Sequence, residues 1–303
     1  MDFAIFKPNY FAVGNRFPMR YRFIPVTAVF CLVAFGFPSW GEESLIFWDD
    51  FESGRLDKWD ADSVVNDPAR LRLTEDPARV FRGKYAVEIT ARVGKGTGAK
   101  LNKWFLPGHD QVYARWYCQF AEDFDQGNHM HFVHLLANRA DNKWSAFGKA
   151  GQKPAGDDFF TTGLEPWRDW GRHPAPGALM LYTYHMDMPI DPQMGKYWGE
   201  MMRPEPPVVI ERGRWYCLEM MVKANTPGKA DGEQAFWVDG KRIGHFTGIR
   251  WRDTADLKIN DFWLMLYVHN SPRVNRVWFD EVAIGTEYIG PIEASGTTPP
   301  APR

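Results

Sequence analysis

Residues Gly213–Ile243, GRWYCLEMMVKANTPGKADGEQAFWVDGKRI, constrain the fold more than any other stretch. Arg214–Val222 and Glu233–Val238 are runs of strand-forming residues, and the segment between them is rich in Asn, Pro, Gly and Asp. That order predicts an antiparallel hairpin. Asp239-Gly240, between Val238 and Lys241-Arg242-Ile243, is a second, tight turn signal. Three successive antiparallel strands belong to an all-β protein, and no stretch after the first forty residues carries a strong amphipathic helical period.

Period-two runs continue through the chain. Phe47-Trp48 opens the series and Asp49–Gly54 reads as a turn. Leu71–Leu73 and Lys84–Val93 follow, and Gly94–Gly98 reads as a glycine-rich turn without the strand-to-helix setting of a phosphate loop. Gln111–Phe120 sets Val112, Ala114, Trp116, Cys118 and Phe120 on one face, with Tyr113, Arg115, Tyr117 and Gln119 on the other. In His129–Asn138 the same period groups His129, His131, Val133 and Leu135 and puts His134 opposite. In Gly177–Met186, Met180, Tyr182 and Tyr184 share a face. Asn260–Asn270 and Arg276–Ile284 close the series. Arg139–Pro176, read as a long irregular segment, is expected to cover one rim of a binding groove, and Asp187–Pro207 is a second loop.

The first residues read as an export signal. Arg16, Arg20 and Arg22 precede the apolar run Phe23–Phe37, too short to span a bilayer comfortably, with cleavage expected near Gly41. Met19 is a plausible alternative start, and a retained anchor is the alternative to cleavage. The expected organisation is a signal peptide over 1–41, one β domain over 42–292 and a disordered Pro/Thr/Ser tail over 293–303, in a secreted or periplasmic monomer with no membrane attachment after cleavage. Cys31 falls in the discarded segment. Cys118 and Cys217 remain, and a disulfide and two buried thiols are both open. A net charge of −2 without any basic block argues against a nucleic-acid binder.

W-Y-x-x-E at Trp215–Glu219, N-T-P-G-K-x-D-G from Asn225 and W-V-D-G-K from Trp237 resemble the concanavalin-like jelly rolls, and within them the alginate-lyase-like polysaccharide lyases. The resemblance spans about Phe47–Pro291 and implies an all-β, two-sheet antiparallel sandwich. Gly98-Ala99-Lys100-Leu101 and Tyr182-Thr183-Tyr184 match the lysine stretch and the Tyr-x-Tyr pair of the family 14 lyases. Tyr197-Trp198-Gly199 resembles the Tyr-Gly that follows them there. The Ser-x-Arg that precedes those tyrosines in the family has no counterpart here, which puts alginate itself in question as substrate. A looser match to the family 7 alginate lyases follows the order Arg115, then His129-Met130-His131, then Tyr182 and Tyr184.

These likenesses imply β-elimination on a uronate-containing acidic polysaccharide, with no catalytic cofactor. Lys100 and Arg115 would neutralise the sugar carboxylate, and His131 with Tyr182 or Tyr184 would serve as base and acid. Tyr113, Tyr117, Gln119, His129, His134 and Tyr197 would line the groove. Asp50, Glu52 and Asp280 resemble the oxygen ligands of a structural calcium in many jelly rolls. A glycosidase is disfavoured because no strand carries the paired carboxylates that hydrolysis needs. The rival reading is a lectin-like carbohydrate-binding protein without activity.

Overall fold

The computed structural model describes residues 44–62 and 67–292. The expected export segment and C-terminal tail lie outside the described residues. In chain order the strands are β1 (Leu45–Asp49), β2 (Leu71–Thr74), β3 (Ala86–Ala91), β4 (Gly94–His109), β5 (Gln111–Phe120), β6 (Met130–His131), β7 (Val133–Asn138) and β8 (Phe159–Trp167). They continue with β9 (Gly177–Tyr184), β10 (Glu200–Met202), β11 (Val209–Ile210), β12 (Trp215–Lys223), β13 (Gly232–Val238), β14 (Lys241–Ile249), β15 (Lys258–Ser271) and β16 (Asn275–Gly285). Every pairing among them is antiparallel.

The strands form two sheets. The first runs β14-β13-β12-β5-β16-β3-β2, with β1 on β16. The second runs β10-β9-β8-β7-β15-β4, with β11 on β9 and β6 on β15. The hairpin stretch becomes β12, β13 and β14 as its turn residues require. Val238 pairs with Lys241, and the two residues between them, Asp239 and Gly240, both take positive φ, the geometry of a tight hairpin.

Alternation drives one face of each sheet into a shared interior. Phe132, from the second sheet, packs against Phe120 and Phe279 of the first, with ring centroids 5.1 and 5.2 Å apart. Trp116 meets Phe262 across the same gap. All five side chains are fully buried. Burial of each such residue contributes about 1.5–3 kcal/mol, and this continuous apolar layer holds the sandwich together.

Three segments differ from the sequence expectation. Gly94–Gly98 is the start of β4 rather than a turn. Gly98, at positive φ, sits so close to the Leu266 carbonyl that a Cβ would overlap it. Arg139–Pro176 contains β8, a central strand of the second sheet. Asp187–Pro207 contributes β10. The disulfide alternative also falls. Cys118 pairs in register with Tyr216, and Cys217 with Tyr117, so the two thiols leave neighbouring strands on opposite faces and both are free.

The carboxylates assigned to calcium all accept backbone amides, Asp50 that of Glu52. Asp280 accepts the Phe81 and Arg82 amides, and Glu52 accepts those of Lys84 and Tyr85. Among the described residues, no helix is long and apolar enough to cross a membrane.

Candidate active site

The outer face of the second sheet, turned away from the first, carries the ionisable side chains. On β15, Leu264, Leu266 and Val268 enter the interior, so Asp261, Trp263, Met265, Tyr267 and His269 project outward. On β9, Leu179 and Leu181 point inward while Met180, Tyr182 and Tyr184 join a second, separate apolar cluster with Phe159, Trp167 and Met188. Cross-strand register then lines up a row running Asn102, Trp263, His134, Gly163, Tyr182 and Met201.

At the centre lies Glu165 of β8, whose side chain is fully buried and faced by three imidazoles. His129 Nε2 is 2.9 Å from Oε1, while His131 Nδ1 and His134 Nε2 are 3.2 and 3.4 Å from Oε2. Burial alone would raise this carboxyl, but the His131 charge and the three imidazole hydrogen bonds hold it well below the usual carboxylate range. Burial works the other way on His129. There the hydrogen bond and charge of Glu165 prevail and its pKa is raised. His134 is buried more deeply and its pKa is lowered by that burial.

His269 completes the group. Its ring stacks on His129 at 5.5 Å and meets His131 edge-on at 4.8 Å. Partial burial, together with the charges of His131 and His129, brings it down to about 4.

Sequence alternation puts His131 and His134 on opposite faces, and the structure corrects this. His131 pairs with Tyr267 and His134 with Trp263, so three steps on one strand span four steps on β15. The break at Phe132 absorbs the missing residue and resets the phase, turning both imidazoles toward Glu165. Gly163 makes the room: a Cβ there would overlap the His134 ring.

Tyr182 lies beside the imidazoles, its ring 5.3 Å from His129 and 5.4 Å from His131. It hydrogen-bonds Tyr184 and the Gly199 backbone, and burial, followed by the Tyr184 charge, pushes its hydroxyl pKa up. Gly199 has no side chain because the Tyr182 ring fills that space. Tyr184 accepts the Gly151 amide at 3.3 Å, and Gly151 is bridged to Tyr197. Part of the segment expected to cover a rim therefore straps the two phenols.

Lys100 is on the same face across Trp263, its ammonium 3.7 Å from that ring. Burial lowers Lys100 and raises Asp261 to about 8, each shift opposed by the charge of the other. Asp261 accepts Asn102 Nδ2 at 2.8 Å and Trp263 Nε1 at 2.7 Å.

Four predicted residues lie elsewhere. Arg115, Tyr113, Tyr117 and Gln119 belong to β5 in the first sheet. Arg115 is buried opposite Glu219, with its guanidinium over the Tyr117 ring. Tyr113 packs on Trp237 and Tyr288, Tyr117 on Phe81, and Gln119 accepts Arg79. The alternation of β5 reports the face of a strand correctly and is silent on which sheet owns it. The structure thus groups Lys100, His129, His131, His134, Tyr182, Tyr184 and Tyr197 and separates them from the β5 set. Arg168 and Arg172 are held by Asp125 and Asp169.

Glu165, His269, Tyr267 and Trp263 escaped sequence reasoning. The last three follow a visible period-two pattern in Trp263–His269. Glu165 carries no signal, because the strand around it, FFTTGLEPW, shows no clean alternation. Among the described residues, one group offers three metal-ligating atoms within 4.8 Å of one another: His129, His131 and Glu165.

Two stacked antiparallel sheets around a shared apolar interior define a jelly-roll sandwich. Solved structures with this fold include the endo-β-1,4-glucuronan lyase from Trichoderma reesei, at 19% identity and a TM-score of 0.53, covering 80% of this chain and 96% of that one. The PL-14 alginate lyase from Aplysia kurodai aligns at 14% identity and a TM-score of 0.57, covering 80% and 98%. A mutant of alginate lyase Aly36B, solved in complex with an alginate tetrasaccharide, aligns at 16% identity and a TM-score of 0.52, covering 70% and 86%. At these identities the likeness establishes the fold. No protein-family model matches the chain, and the search of curated proteins gives no match.

Proposed function

We propose that the protein is a polysaccharide lyase that cleaves a uronate-containing acidic polymer by β-elimination. What carries this reading is one adjacency: a hydrogen-bonded phenol pair, Tyr182 and Tyr184, one ring contact from an imidazole cluster anchored on Glu165. The imidazoles of His129 and His131 meet the sugar carboxylate and stabilise the negative charge that spreads onto it as the C5 proton leaves. Tyr184, entering the step as the phenolate, acts as general base and takes that proton. The electron pair left on C5 forms the C4–C5 double bond as the C4–O bond breaks, and Tyr182 donates its proton to the departing oxygen. Proton transfer along the hydrogen bond between the phenols restores the starting state. Lys100 binds the carboxylate of a neighbouring sugar. Tyr197 lines the path, and polymer binding displaces the Gly151–Tyr197 strap.

The test is an assay of the purified protein on alginate, glucuronan and other polyuronates, following the ultraviolet absorbance of the unsaturated uronate. Activity on at least one polymer is expected. A folded protein that is retained on a glycan column yet gives no absorbance on any of them would instead be the lectin-like binder. The same reading takes the chain as exported with its first 41 residues removed, which N-terminal sequencing of protein recovered from periplasm or medium would check.

A further inference from the structure

We propose that His129, His131 and Glu165 bind a divalent transition-metal ion whose open side receives the carboxylate of the acidic sugar. The second clause rests on the lyase reading; the first does not.

The donor set is two imidazoles and one carboxylate, and all three ligating atoms lie within 4.8 Å of one another. His129 and His131 are separated by one residue, so both rings leave the backbone on the same side. Glu165 enters from the neighbouring strand β8. His129 Nε2 stands 2.9 Å from Oε1 and His131 Nδ1 3.2 Å from Oε2, so the carboxylate faces the two imidazoles with both of its oxygens. Around a zinc-sized ion with ligand bonds of about 2.0–2.1 Å in a tetrahedral arrangement, adjacent ligand atoms are about 3.3 Å apart. Both pairs are therefore within about half an ångström of a coordinated geometry.

The charge balance points the same way. Glu165 is fully buried, and the partners seen around its carboxylate are imidazoles. An isolated buried carboxylate is costly, and a cation shared with the surrounding imidazoles would compensate it. His134, at 3.4 Å from the same oxygen as His131, stands as an outer partner of the kind that orients ligating carboxylates. The side chains of His129 and His131 are 27% and 24% exposed, whereas that of Glu165 is at 0%. An ion held here has three protein ligands behind it and solvent in front, the arrangement of catalytic rather than structural sites. Two nitrogens and one oxygen suit zinc and its first-row neighbours rather than calcium or magnesium. Such an ion would supply the positive charge for which the sequence offers Arg115, a residue of the other sheet.

The experiment uses the tag-free chain, stripped with a chelator and dialysed against micromolar zinc. Elemental mass spectrometry should find one zinc per chain, and cobalt should give visible d–d bands of four- or five-coordination. His131→Ala and Glu165→Gln should each weaken zinc binding about 100-fold or more, with circular dichroism reporting that both are folded. His245→Ala, which removes an imidazole paired with Glu233 on the first sheet, should still bind one zinc. A folded wild-type chain retaining no more zinc than His131→Ala would overturn the site. Rates on the best polyuronate should fall on stripping and return on reloading. A stripped enzyme at full rate would overturn the carboxylate role and leave the lyase reading standing. Stoichiometric zinc with no rate on any polyuronate would overturn the lyase reading, and the carboxylate role with it, and leave the metal site standing.

Discussion

At the scale of single residues, burial sets the chemistry. Tyr182 is kept protonated by its surroundings, which suits a donor to a leaving oxygen. Tyr182→Phe should lower kcat by about 10²–10⁴-fold with little change in melting temperature, a split that steady-state kinetics and thermal unfolding together would expose. Glu219 gives a residue-scale test of stability far from the site. It is buried in the first sheet and accepts the Ile289 and Gly290 amides, yet burial outweighs these bonds and raises it from 4.5 to about 7. The folded chain therefore holds this proton more tightly than the unfolded one. Its contribution is fully present below pH 4.5 and lost as pH rises to about 7. Glu219→Gln, which mimics the protonated form, should gain about 3 kcal/mol relative to wild type across that window, measured by urea denaturation at several pH values. A flat difference would show that the carboxyl is ionised throughout.

At the scale of the element, the site depends on an irregularity. A perfect period through His129–Asn138 would send one of His131 and His134 into the interior. The step lost at Phe132 brings both to Glu165, and Gly163 on the next strand leaves the space. Gly163→Ala should cost about 1–3 kcal/mol by overpacking and lower the lyase rate by displacing His134. Urea denaturation and the polyuronate assay measure the two effects separately. This is also where the sequence was least legible. Strand β8 reads FFTTGLEPW, and its two threonines, glycine and proline blur the alternation that made β5 and β9 plain. A bulge has no pattern of its own either, because one residue of slip looks like ordinary sequence.

At the scale of the molecule, the fold was legible because hairpin turns and period-two runs are local signals. The assignment of strands to sheets was not, because it depends on contacts between residues far apart in the chain. Arg115 and Tyr182 both alternate against core residues, yet β5 lies in one sheet and β9 in the other. The interior supports a direct test. Phe279→Ala, which empties the contact with Phe132 between the sheets, should destabilise by about 3–5 kcal/mol and leave kcat unchanged at temperatures where the variant stays folded. The interior cluster and the outer cluster around Tyr182 and Tyr184 have no side chain in common. Selection for a stable sandwich therefore acts on one set of positions and selection on the ionisable outer face on another. The outer letters are free to drift while the scaffold keeps its shape, so lineages with this architecture can lose nearly all resemblance in their spelling and still superimpose.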